Sequence, residues 1–207
     1  MSTVKSKKLQ VGTDATSSNN FTIYQPATPD GTLRIGVGNA DSPTEVGRFT
    51  SNGLSVTGRV QSTTQPAFTA YKTSSQTNGG VSGGNDVVTY DATFVDTTSS
   101  FDIANNKYVV PVTGIYFIGF NLTGSSASIS NRYFRGKLQV NGVTKFASHT
   151  HISNETSDND YYSCGSSSVL SLSSGDEIQL VWGAGTASTI NLYTAEANNV
   201  LYGYLIG

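Results

Sequence analysis

Gly114-Ile-Tyr-Phe-Ile-Gly-Phe-Asn-Leu122 is the stretch on which the fold turns. In an extended chain, successive side chains point to opposite faces. Tyr116, Ile118, Phe120 and Leu122 therefore share one face, and Ile115 and Phe117 occupy the other. A strand that is apolar on both faces is expected to be covered on both. One cover is the opposing layer of a sandwich; the other is expected at a subunit interface. The chain also ends on an aromatic strand, Leu201-Tyr-Gly-Tyr-Leu-Ile-Gly207, which needs packing inside a sheet. Tyr116, Ile118, Phe120, Tyr202 and Tyr204 are the residues expected to form the shared interface and core.

Working outward, the same alternation recurs with almost no helical period. It predicts strands over 67–72, 87–94, 107–110, 114–122, 133–140, 143–152, 161–172, 177–182, 190–194 and 200–206. Between them lie turn signals, of which Asn141-Gly142 is the strongest for a hairpin. About ten strands at this spacing predict an all-β sandwich or jelly roll over 66–207.

Composition agrees. Of 207 residues only 13% are charged and 10% are aromatic, the reverse of a disordered chain. Twelve basic residues against fourteen acidic ones give a net charge of −2, which draws the chain to neither nucleic acid nor an anionic membrane. The single cysteine, Cys164, cannot form an internal disulfide. No apolar run approaches the roughly 18 residues of a membrane-spanning helix. The N-terminus has lysines without a following apolar core, so no secretory signal is expected.

Residues 1–18 read as a basic arm carrying Lys5, Lys7 and Lys8, the expected anchor to a larger particle. Residues 19–60 read as short strands separated by Pro29-Asp30-Gly31 and Asn52-Gly53 turns. They hold few apolar side chains, and lone domains below roughly 40–60 residues are marginal without partners. A β stalk in which three chains share one narrow core meets that need.

Ala67-Phe-Thr-Ala-Tyr71, Val88-Thr-Tyr-Asp91, Pro111-Val-Thr-Gly-Ile-Tyr-Phe117 and Leu138-Gln-Val-Asn-Gly-Val143 follow one another in the head. Leu170-Ser-Leu-Ser-Ser-Gly-Asp-Glu-Ile-Gln-Leu180 and Leu201-Tyr-Gly-Tyr-Leu205 complete the series. In this order they resemble the globular head of complement component q and its tumour-necrosis-factor-like relatives. That resemblance implies a ten-stranded jelly roll assembling as a homotrimer through its inner sheet, with the strand after the Asn-Gly hairpin on the outer sheet. The collagen-like Gly-X-Y stalk of that family is absent here. Asn20-Phe-Thr-Ile, Asp30-Gly-Thr-Leu-Arg-Ile, Gly38-Asn-Ala and Phe49-Thr-Ser-Asn-Gly-Leu-Ser-Val are similar to units of bacteriophage tail fibres and other virion appendages.

No constellation for catalysis stands out. Asp176 and Glu177 are adjacent, so on a strand they face apart and make poor acid–base partners. The serine clusters lack a positioned base. His149 and His151 share one strand face and Asp158 and Asp160 share one loop; polar surface is the simpler reading of each, with a cation site the alternative. No cofactor and no metal are expected. The polar loops 124–132 and 153–160 are the candidate glycan-contact surface, with Asp158, Asn159, Asp160 and Tyr161 foremost, because a ring stacks on a sugar while amides bond its hydroxyls.

The expected protein is thus a non-enzymatic bacteriophage virion component made in the host cytoplasm. It is a trimeric short fibre whose N-terminal part binds other virion proteins and whose head meets host-surface polysaccharide. A capsid decoration protein at three-fold positions is the alternative, and a secreted binding module is a further one.

Overall fold

The computed structural model describes residues 7–58, 64–77, 85–126, 132–152, 160–185, 190–193 and 198–206. The chain divides into two compact units, Met1–Ser62 and Thr63–Gly207.

In the first unit β1 (Lys8–Val11), β2 (Phe21–Tyr24), β3 (Leu33–Val37), β4 (Thr44–Thr50) and β5 (Gly53–Val56) form one antiparallel meander in chain order. Residues 8–11, read from sequence as part of a basic arm, are instead the first strand, paired with β2 from Lys8↔Tyr24 to Val11↔Phe21. The long β1–β2 connection is held by Asn20, which is fully buried. Its side-chain N–H groups donate to the Asp14 carbonyl at 2.8 Å and to Asn39 Oδ1 at 2.7 Å, and its Oδ1 accepts from the Asp14 amide.

Register decides what each face of this sheet carries. Leu9, Ile23, Ile35, Gly47 and Val56 stand in one cross-strand row, Val11, Phe21 and Val37 in a second, and Leu33, Phe49 and Leu54 in a third. All three rows share a face. The opposite face bears Arg34 between Asp30 and Glu45, with Arg48 on the same Glu45. Among the described residues the unit supplies no second layer of strand or helix to cover the apolar face.

In the second unit the described strands are β6 (Ala67–Tyr71), β7 (Gln76–Thr77), β8 (Asp86–Val87), β9 (Ala92–Asp96), β10 (Phe101–Asp102) and β11 (Lys107–Val109). They continue as β12 (Gly114–Ser126), β13 (Arg132–Val140), β14 (Val143–Ile152), β15 (Asp160–Leu172), β16 (Glu177–Ala184), β17 (Asn191–Leu192) and β18 (Val200–Leu205). Two sheets face each other as a jelly roll. One runs β10-β11-β16-β13-β14, with β8 also on β16; the other runs β9-β6-β18-β12, with β15 on the far side of β12 and β17 and β7 continuing from its end. They are called the β16 sheet and the β12 sheet below.

Between them lies an aromatic core. Phe68 stacks on Tyr108 at 3.9 Å, Phe134 meets Trp182 edge-on at 6.2 Å, and Ile118, Leu122, Leu138 and Leu201 fill the space among them. The strand expected over 87–94 is two strands: β8 pairs in one sheet and β9 in the other. The chain crosses between the sheets at 88–91, and the reason is visible in the alternation of Val88 and Tyr90, which both insert into the core. The expected Asn141-Gly142 hairpin joins β13 to β14, both residues having positive φ (51° and 76°), the left-handed pair that matches the strand twist.

Candidate functional site

The outward face of the β12 sheet is the first candidate surface. On β12 the odd-numbered residues Ile115 and Phe117 point out, while Tyr116, Ile118, Phe120 and Leu122 are buried against the β16 sheet. Tyr204 and Val169 flank Phe117 in register from β18 and β15. The Phe117 ring lies 5.5 Å from Tyr204 and 6.3 Å from Tyr202. Tyr202 lies across Gly119, where an added methyl carbon would sit 2.5 Å from the ring. Only glycine lets the tyrosine lie that flat. Val169 remains 56% exposed and Tyr204 47%, so this face offers a contiguous apolar surface.

Of the five residues expected to form interface and core, Tyr116, Ile118 and Phe120 are core of the single chain. Tyr202 and Tyr204 lie on the outward face. The expectation that the strand is covered on both sides holds for one side within one chain; the other side is open at Ile115, which is 40% exposed.

β15 borders this face as a thirteen-residue strand whose ladder among the described residues is with β12, and Thr150 of β14 donates to its Ser163 carbonyl. Its outward residues include Ser163, Gly165, Ser167 and Ser171, small side chains that leave the backbone approachable. The inward ones include Tyr162 and Cys164, both buried. Burial pushes the Cys164 thiol up to about 12, which leaves it protonated and unreactive.

A second candidate surface lies on the outward face of the β16 sheet. Tyr133, Arg135 and Lys137 alternate on β13 with the buried Phe134, Gly136 and Leu138. Arg135 stands opposite His149 of β14 and level with Gly183 of β16. The guanidinium carbon is 5.1 Å from the Tyr133 ring centre, and the same ring meets His149 edge-on at 6.5 Å. Lys137 donates to Asn85 Oδ1 at 2.7 Å. Burial lowers the Lys137 ammonium below the ordinary lysine value, and the charge of Arg135 lowers it further. Together with Ala147 and Ser148 these side chains line a hollow of about 340 Å³. Arg135 and Lys137 escaped the sequence reading; the signal for them was an Arg-x-Lys alternation on a strand whose partner carries His-x-His.

His149 and His151 are both exposed on β14. Among the described residues no group of three or more His, Cys, Asp and Glu side chains gathers as metal ligands do. Tyr161 is 57% exposed and packs edge-on against Tyr193 at 4.7 Å. Asp160 opens β15, whereas Asp158 and Asn159 lie outside the described residues, as does Lys5. Lys7 is exposed, and the Lys8 ammonium donates to the Ala40 carbonyl at 2.6 Å, so it serves the sheet.

Two antiparallel sheets thus face each other, the β12 sheet with an aromatic outer surface and the β16 sheet with a basic one. A C1q domain model matches residues 67–206, and the chain belongs to that family, whose domains are non-enzymatic binding modules. No curated protein matches the chain. Among solved structures it is similar to the globular domain of zebrafish complement 1qA, at 18% identity and TM-score 0.50 over 69% of this chain and 98% of that one. It is similar also to murine APRIL, at 15% identity and TM-score 0.51 over 69% and 99%. A third is the Eiger tumour necrosis factor of S. frugiperda, at 13% and 0.53 over 69% and 93%. At these identities the likenesses speak to the fold alone.

Proposed function

We propose that this protein is a homotrimeric adhesive module of a bacteriophage particle, a short fibre whose N-terminal unit joins the particle and whose C1q-type head is displayed towards the host surface and its glycans. The observation that carries it is the aromatic outward face of the β12 sheet. Phe117, Tyr202 and Tyr204, with Val169 and Ile115, make an apolar surface that a monomer would leave in water. Large exposed apolar patches mark interaction sites. Closing them around a symmetry axis takes that surface out of water.

The N-terminal unit supports the same reading. A five-stranded sheet with one apolar face and, among the described residues, no layer over it calls for a partner layer, since stable domains pack two layers. The resemblance of units such as Asp30-Gly-Thr-Leu-Arg-Ile35 to virion appendage sequences is what suggests the setting.

Analytical ultracentrifugation at low micromolar concentration tests assembly: three chains per particle are expected, and a stable single chain overturns the proposal. Labelling the N-terminal unit in purified particles tests the setting. Label at the tail tip supports the fibre; label at capsid three-fold positions replaces it with shell decoration.

A further inference from the structure

The geometry points to a binding site for a carboxylate-bearing sugar in the hollow between β13 and β14, with Arg135 and Lys137 holding the carboxylate and Tyr133 carrying the ring. This inference rests on the adhesive reading of the head and gives it a place and a ligand class.

Three features converge. The first is charge: Arg135 and Lys137 stand two residues apart on one strand face, and His149 faces Arg135 across the β13–β14 pair. Burial, and after it the neighbouring Arg135 charge, lower the Lys137 value. Guanidinium matches carboxylate geometry in a two-pronged contact, and such charge-assisted bonds are the strong ones.

The second is preorganisation. The Tyr133 ring lies over Gly185, where an added methyl carbon would sit 2.7 Å away, and it is held on other sides by Arg135 and His149. Asn85 fixes the end of Lys137. Ala147 and Ser148 of β14 complete the wall with small side chains. The site is therefore built on paired strands rather than on loops.

The third is size. A hollow of about 340 Å³ lies at the lower end of small-molecule sites, roughly 300–1,000 Å³, and suits one sugar unit. An extended phosphate polymer asks for something different, a long basic track, and the chain as a whole carries a net charge of −2. A flat ring beside two cations suits a pyranose with a carboxylate.

The test uses the full chain on immobilised polygalacturonate, with neutral dextran and duplex DNA of equal charge as comparison surfaces. Retention on polygalacturonate above dextran is expected, weakening as salt rises from about 50 to about 500 mM. The Arg135→Gln/Lys137→Gln variant should bind at least about tenfold more weakly, as should Tyr133→Ala, whereas Lys107→Gln/Lys145→Gln, which removes the same charge elsewhere, should bind like the parent. Circular dichroism melting separates lost binding from lost folding, and the single Lys137→Gln, at a partly exposed position, provides a milder version with the same direction. Equal binding by the double variant overturns the inference, and so does preference for DNA over polygalacturonate. Binding by the parent to neutral glycans alone removes this site and leaves the adhesive reading standing; binding to no glycan of either charge removes both.

Discussion

Phe117 and Tyr204 meet ring to ring, 5.5 Å apart, on the outward side of the β12 sheet, while Ile118, one residue along, is fully buried on the inward side. Neighbours in sequence thus answer to different surroundings: the inner one to the opposing sheet, the outer one to the surface that the proposed assembly would cover. Interface aromatics at the centre of a patch each contribute about 2–4 kcal/mol to association. Phe117→Ser/Tyr204→Ser should therefore convert the assembled protein to monomers in light-scattering chromatography while the far-ultraviolet dichroism of the β fold persists. A variant that elutes with the parent would show that this face does not hold the subunits.

Ile118→Ala should do the opposite. Truncating a fully buried aliphatic side chain costs about 2–5 kcal/mol, because the cavity closes only in part. Denaturant unfolding should record that loss at every protein concentration. Loss of assembly with unchanged unfolding would reverse the assignment of the two faces.

The turn at Asn141-Gly142 isolates a purely conformational term. Gly142 sits at φ 76° with no atom within 4 Å of where a methyl would lie. Gly142→Ala then loses only the left-handed backbone preference, about 1–2 kcal/mol. Chemical denaturation should report a loss in that range; a neutral outcome would mean the turn relaxes.

This hairpin also marks where legibility in the sequence ends. Its two-residue turn could be read from Asn-Gly, and nine of the ten expected strand positions in the head from alternation and punctuation; the exception is 87–94, where the chain changes sheets. The bulge between Leu138 and Gln139 could not. A regular hairpin would have turned His149 and His151 towards the core and Phe146 to solvent. The bulge absorbs Lys145, reverses the face of β14, stacks Phe146 on Phe120 at 6.0 Å, and brings His149 beside Arg135. The basic hollow follows from that one extra residue, so no pattern count exposes it. The core face of β12 was legible as a set but not as a direction: Tyr116, Ile118 and Phe120 differ from Phe117 only in what stands across from them.

The Ser-Gly-Asp turn has a pH signature. The Asp176 carboxylate accepts from the Ser173 amide and from the Asn141 side chain, each at 2.8 Å, and these bonds hold its pKa below the ordinary 3.8. The bonded, ionised form is thus favoured in the folded state. Its contribution is fully present above the ordinary value and disappears as the pH falls through the lower folded one. Asp176→Asn should be less stable than the parent at pH 7 and at pH 5, and the gap should close on acidification below 3.8. A gap that stays constant down to pH 2 would assign the effect to shape rather than charge.

The N-terminal sheet makes the last prediction. Its polar face carries ion pairs that include the half-exposed Arg48 and Asp30, and pairs open to water in this way add little to stability. They cannot hold five strands together. The three apolar rows can, once covered: Phe21, Ile23, Leu33, Phe49 and Leu54 are each large and each more than a third exposed. Burying one such side chain is worth about 1.5–3 kcal/mol. Replacing two of them, Phe21→Ser/Phe49→Ser, removes about 3–6 kcal/mol from whatever assembly covers the face. Hydrogen exchange on the full chain should then show faster exchange of the β2, β3 and β4 amides, with β12 and β16 amides unchanged. If β2–β4 keep their protection after both rings are gone, the apolar face is not what closes this unit.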